Sequence, residues 1–278
     1  MGSTEGSMPK TQFGAPVETP FGPPVEEILL SDPPLELVIA QLRFPRILSI
    51  DDETFVAPFQ ERIRPAYPVL SREDQAEVLI GPQGAATGPR GVIWRFATEP
   101  LAWEVSLSKD FVALSTKRHY VDRDAFIERL IEIVGAVSTT IQPKVCNRVG
   151  VRYVDRINEI TKIKRLVRKE VLGVSEMALG SDDVERAYAI SDLLYEVSSD
   201  SALHARWGRI PSGLTFDPAI EPVENDSWVL DLDQFTRSPL EWHADLIAAR
   251  ARNFCDVIYR YFRWIVTDSF LKNYGATP

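Results

Sequence analysis

"RVGVRYVDRI" (residues 148–157) alternates like a half-buried strand, and it opens an order of elements that the chain has already run through once. Residues an even number apart on a strand share a face, so Arg148, Arg152 and Arg156 point one way, with Gly150 and Val154 between them. Val149, Val151 and Tyr153 point the other way, toward a core. The stretch raises two questions: what repeats, and what three guanidinium groups do in a chain of net charge −9.

Upstream, "PLELVIAQLRF" (34–44) reads as a strand, and "DDETFVAPFQERIRP" (51–65) spaces Phe55, Phe59 and Ile63 at helical intervals behind the cap Asp52. A strand at "REDQAEVLI" (72–80), a Gly/Pro-rich hairpin loop at "GPQGAATGPRG" (81–91) and three further strands at 91–97, 101–108 and 111–119 follow. Trp103, Val105 and Leu107 alternate there with Glu104, Ser106 and Ser108. Asp122 then caps a helix whose stripe is Phe126, Leu130, Val134, Val137 and Ile141, ended by Pro143.

Downstream the order begins again. After residues 148–157, "TKIKRLVRKEVLG" (161–173) reads as one helix closed by Gly173, and "SEMALG" (175–180), 186–198, 202–210 and "WVLDLDQF" (228–235) read as strands. "SPLE" (238–241) predicts a helix start, with Ser238 as N-cap, Pro239 first in the helix and Glu241 completing a capping box. Ile247, Ala251, Phe254, Ile258, Tyr261 and Ile265 form its buried stripe. The expectation is an α+β fold of two β-α-β4-α units, 34–143 and 148–271, forming one integrated domain. Its curved, antiparallel-rich sheet is covered on one face by long helices, and residues 1–33 form a mobile Pro-rich arm outside it.

In topology this order resembles the TATA-binding-protein saddle, a likeness that carries no function by itself. At "PLELVIAQLRF", "WEVSLSKDFVALST", "RVGVRYVDRI", "ARWGR" and "LDLDQF" the chain also resembles a sporadically distributed, uncharacterised family of bacterial proteins of about this length. That resemblance covers nearly all of the folded part, implies a bacterial origin and supplies no catalytic residue.

Composition narrows the function. A pI near 5.0 opposes nonspecific binding to nucleic acid or anionic membranes, although the basic "TKIKRLVRKE" could form a local patch. No apolar run reaches the roughly 20 residues needed to cross a bilayer, and the two cysteines, Cys146 and Cys255, form no metal spacing, which fits a reducing cytoplasm. No P-loop, dinucleotide fingerprint, HExxH or nucleophile elbow occurs, and no cofactor is expected.

Two polar sets remain. The arginines of 148–157, joined by Arg206, Trp207 and Arg209 of "ARWGR", could recognise a protein partner or a small anionic ligand, since guanidinium groups bind carboxylates and phosphates bidentately. Asp231 and Asp233, on the strand face opposite Trp228, Leu230 and Leu232, could instead balance the arginines across neighbouring strands. They could also hold a divalent metal, with Asp155, Glu196 or Asp192 as a third carboxylate for phosphoryl transfer or hydrolysis. The reading favoured is a non-enzymatic cytoplasmic binding module that works through a polar sheet face; a metal-dependent enzyme and a nucleic-acid-binding protein are the alternatives.

Overall fold

The structure is a computed structural model that describes residues 25–75, 78–81, 84–87, 91–117, 119–173 and 188–276. Its first half contains β1 (Leu35–Arg43), α1 (Glu53–Ile63), β2 (Val69–Gln75), β3 (Val78–Gly81), β4 (Gly84–Thr87), β5 (Gly91–Ala97), β6 (Trp103–Ser108), β7 (Phe111–Thr116) and α2 (Arg123–Thr140). The second contains β8 (Val145–Cys146), β9 (Arg148–Ile157), α3 (Ile163–Leu166), α4 (Lys169–Leu172), β10 (Ala189–Ser198), β11 (Ser201–Ile210), β12 (Ser227–Thr236), β13 (Leu240–Glu241), α5 (Ala244–Ile265) and α6 (Asp268–Asn273).

Nine strands form one sheet in the order β10-β11-β12-β9-β1-β7-β6-β5-β2. Every neighbouring pair is antiparallel. β1 and β9 lie side by side at the centre, and each is flanked by the last meander strand of its own half, β7 or β12. The expected strand at 175–180 lies outside the described residues.

The main core fills the space between the sheet and α1, α2 and α5. The caps form as the sequence predicts: Asp52 accepts from the Thr54 N–H and Asp122 from the Ala125 N–H, each at 2.8 Å. Phe126, Leu130, Val134 and Val137 of α2 are buried, as are Ile247, Ala251, Phe254, Ile258, Tyr261 and Ile265 of α5. The end of α2 needs more than Pro143: Gln142 adopts a left-handed φ of 55°, and its N–H bonds the Val137 carbonyl at 2.9 Å.

Four local expectations give way to tertiary pairing. The single helix over 161–173 is broken into α3 and α4, because Val167 bridges to Val266 and the Arg168 N–H donates to the Ile265 carbonyl. The capping box at 238–241 is not used; Leu240 and Glu241 pair with Cys146 and Val145, and α5 starts behind His243. That pairing seats Trp242, whose indole N–H donates to Ser138 and whose ring meets Phe44 edge-on at 5.8 Å. The loop at 81–91 contains β4, paired with β3. The fold also begins upstream of Pro34: the Ile28 N–H donates to the Tyr259 hydroxyl, and Leu30 bridges to Ala276.

On the face away from the helices, Leu37, Val154, Ile210, Ile220 and Val229 form a second, smaller core with Phe216 packed against it. The β11–β12 connection, residues 211–226, supplies Phe216 and Ile220 and so lies as a strap across this part of the sheet. Among the described residues no helix is long and apolar enough to cross a membrane.

Candidate functional site

The antiparallel register puts the polar residues of three strands side by side. Asp231 of β12 lies opposite Val154 on one side and Arg206 on the other, while Asp233 lies opposite Arg152 and His204. Side chains of a long pair can reach a diagonal neighbour, and here they do. Arg152 donates to both Asp231 oxygens, Nε to Oδ1 at 2.7 Å and Nη2 to Oδ2 at 3.0 Å. Arg206 donates to Asp231 Oδ2 from Nε at 2.9 Å and from Nη2 at 2.5 Å.

The strap closes the cluster. Asp217 Oδ2 accepts from Arg152 Nη2 at 2.8 Å and from Arg206 Nη2 at 3.2 Å, and the Phe216 ring stacks on the Arg206 guanidinium at 4.7 Å. Two arginines and two aspartates therefore form a neutral, hydrogen-bonded quartet in which the Asp231 side chain is 1% exposed. Burial alone would raise the Asp217 carboxyl, but the Ala219 N–H and both guanidinium groups outweigh it and hold the group below the usual aspartate range.

The neighbouring arginines are also engaged within the chain. Arg148 donates to Asp233 at 2.8 Å and stacks over Phe235 at 4.4 Å. Its guanidinium lies over Gly150, where an added Cβ would come within 2.5 Å of Nη1. Burial raises the Asp233 carboxyl more than Arg148 and Arg152 lower it. Arg156 is 2% exposed and binds the Ser227 hydroxyl and the strap carbonyl of Glu221 at 3.0 and 2.7 Å. Arg209 pairs with Asp226 at the end of the strap, 2.6 Å away.

Trp207 stands apart from the arginines. It points to the helix side, is buried in the main core and donates its indole N–H to the Val171 carbonyl at 2.8 Å. Gly208 beside it has φ 154°, and a Cβ there would sit 1.9 Å from the Ala189 carbonyl oxygen, so β10 can approach only a glycine.

The carboxylates proposed for a metal do not converge. Asp231 and Asp233 are occupied by guanidinium groups; Asp192 binds His204 at 2.6 Å, and Glu196 binds Arg237 at 2.5 Å. Asp155 faces the helix side, across the sheet from Asp231. Among the described residues no group of three or more metal-ligating side chains exists. The basic stretch 161–170 is split between two short helices and turns Ile163 and Leu166 into the core, so it presents no continuous basic helix.

Sequence reading missed the contribution of the strap. Asp217, Phe216 and Asp226 sit in a segment without period, and its only signal is an Asp behind an aromatic in "TFDPAIEP" (215–222). Comparison of the sequence with protein-family models and with curated proteins finds no match.

Proposed function

We propose that this chain is a non-enzymatic binding module and that the helix-free face of its sheet is the contact surface. The observation that carries this reading is the division of that face. Under the strap the arginines are neutralised by aspartates of the chain itself. Across β5, β6 and β7 the face keeps polar groups partly exposed: Ser115, Glu104 and Arg95, with Arg95 bridging Glu73 and Glu104. A balanced, hydrogen-bonding surface of this kind suits a protein partner better than a small anion, which would need an unneutralised guanidinium.

The order of strands about β1 and β9 supports reading the chain as two β-α-β4-α units in a saddle-like sheet. Two buried free thiols, Cys146 and Cys255, suit the reducing cytoplasm of a bacterial cell. The metal-dependent alternative draws no support from Asp231 or Asp233, because a cation would have to displace bonded guanidinium groups.

The test is to place a bulky cation on the open half. Ser115→Arg is expected to leave the melting temperature near that of the wild type and to abolish retention of a partner from native lysate that the wild type retains reproducibly. Equal retention by both proteins would move the contact surface elsewhere, and no retained partner with either would remove the binding-module reading.

A further inference from the structure

A cavity of about 100 Å³ opens on the other side of the sheet, between β9, α5 and the segment entering β1. Its walls are apolar and aromatic, including Leu35, Ile258, Phe262, Tyr120 and Tyr153. Asp155 also lines it. This residue is 7% exposed, yet its carboxyl makes no hydrogen bond or ion pair with any described residue. A buried carboxyl without a partner is costly, and such groups are found where a ligand supplies the partner. The bulge between Leu35 and Leu37, opposite Asp155, marks the same spot in the backbone.

The surrounding groups define the chemistry of that partner. Tyr153 donates to Cys255 Sγ at 3.4 Å, so the 3.1 Å contact between the two phenols is donated by Tyr120, whose oxygen keeps acceptor lone pairs. Glu27 adds a second carboxyl at the rim. The positive charge of Arg123, also at the rim, is taken up by Asp256. Asp155 is thus left without a counter-charge, among acceptors and aromatic rings whose faces attract cations.

We propose that this cavity binds a small organic amine with an apolar body, its ammonium group paired with the Asp155 carboxylate and its body against Tyr120, Tyr153 and Phe262. The inference is independent of the sheet-face reading and concerns the opposite side of the molecule. Burial raises the Asp155 carboxyl to about 8, so at neutral pH it is protonated before binding. Capturing an ammonium ion then forms carboxylate and ammonium side by side and releases the carboxyl proton to solvent. Of the groups around it, the Tyr120, Tyr153 and Tyr274 phenols and the Cys255 thiol are all raised by burial and keep their protons there. Glu27, also raised by burial, is opposed by Arg123.

Calorimetry on the full chain at pH 7, with n-butylamine, 1-butanol and butyrate as probes in buffers of different ionisation enthalpy, separates the outcomes. Butylamine is expected to bind with release of about one proton, and butanol and butyrate at least about tenfold more weakly. Asp155→Asn, which keeps the shape, is expected to abolish the proton release and weaken amine binding at least about tenfold. The proposal is overturned if butyrate or butanol binds as well as the amine, if Asp155→Asn binds the amine unchanged, or if no amine binding is detected. None of these results bears on partner retention by the Ser115→Arg variant.

Discussion

Asp231→Ala is expected to lower the free energy of unfolding by about 4 kcal/mol, against about 1 kcal/mol for Asp233→Ala. The two residues are two positions apart on one strand face and carry the same charge, so sequence gives no reason for a difference. The structure does. Asp231 is 1% exposed and is the shared acceptor of Arg152 and Arg206; removing it leaves two partly buried guanidinium groups to share Asp217. Asp233 is 25% exposed and is hydrogen-bonded by one guanidinium, that of Arg148, which retains its stacking on Phe235. Urea denaturation of the two variants gives the comparison directly. Replacement of all four members, Arg152, Arg206, Asp231 and Asp217, by apolar residues of similar volume is expected to recover much of the loss, because the penalty lies in the uncompensated charge rather than in the absent pairs. Equal losses for Asp231→Ala and Asp233→Ala would mean that the quartet is not a buried unit.

Asp155→Asn is expected to stabilise the protein at pH 7, by on the order of 3 kcal/mol, and to change its stability little at pH 4. Burial raises the folded-state value of Asp155 to about 8, while in the unfolded chain it titrates at the ordinary value near 4. Between those limits the folded state holds a proton that the unfolded state has lost. The carboxyl's contribution is therefore fully present below about pH 4 and is lost as pH rises toward about 8, at up to roughly 1.4 kcal/mol per pH unit. An amide at this position does not titrate, so unfolding midpoints for wild type and variant should converge at acid pH and separate as pH rises. Parallel curves from pH 4 to pH 8 would show that Asp155 is ionised in the folded protein.

Much of the fold is legible in the sequence where period and capping act locally. The alternation of Trp228, Leu230 and Leu232 with Asp231 and Asp233 assigns both faces of β12 correctly, and the stripe from Ile247 to Ile265 marks the buried side of α5. The cross-strand balance between arginines and aspartates is legible as well, since both sets share a face. What sequence alone misses depends on contacts between distant segments. Ser238 and Glu241 offer a capping box, but pairing of Leu240 and Glu241 with Val145 and Cys146 and the burial of Trp242 prevail. Trp207 beside Arg206 suggests a recognition pair, yet strand alternation sends it into the core. Asp155 did leave a signal: it interrupts the run Val149, Val151, Tyr153 and Ile157 on the face that meets the helices. An acid on an apolar face asks for a partner that strand pairing does not supply.

The arrangement on the helix-free face makes the arginines of β9 and β11 fasteners of the strap. Hydrogen exchange of residues 211–226 in wild type and Asp217→Ala tests this most directly, because Asp217 is the strap's carboxylate in the quartet. If the arginines hold the strap, its amides are expected to exchange at least about tenfold faster in the variant while those of β9 and β12 remain protected. Unchanged exchange across 211–226 would contradict that role and return Arg152 and Arg206 to candidacy as groups that recognise something outside the chain.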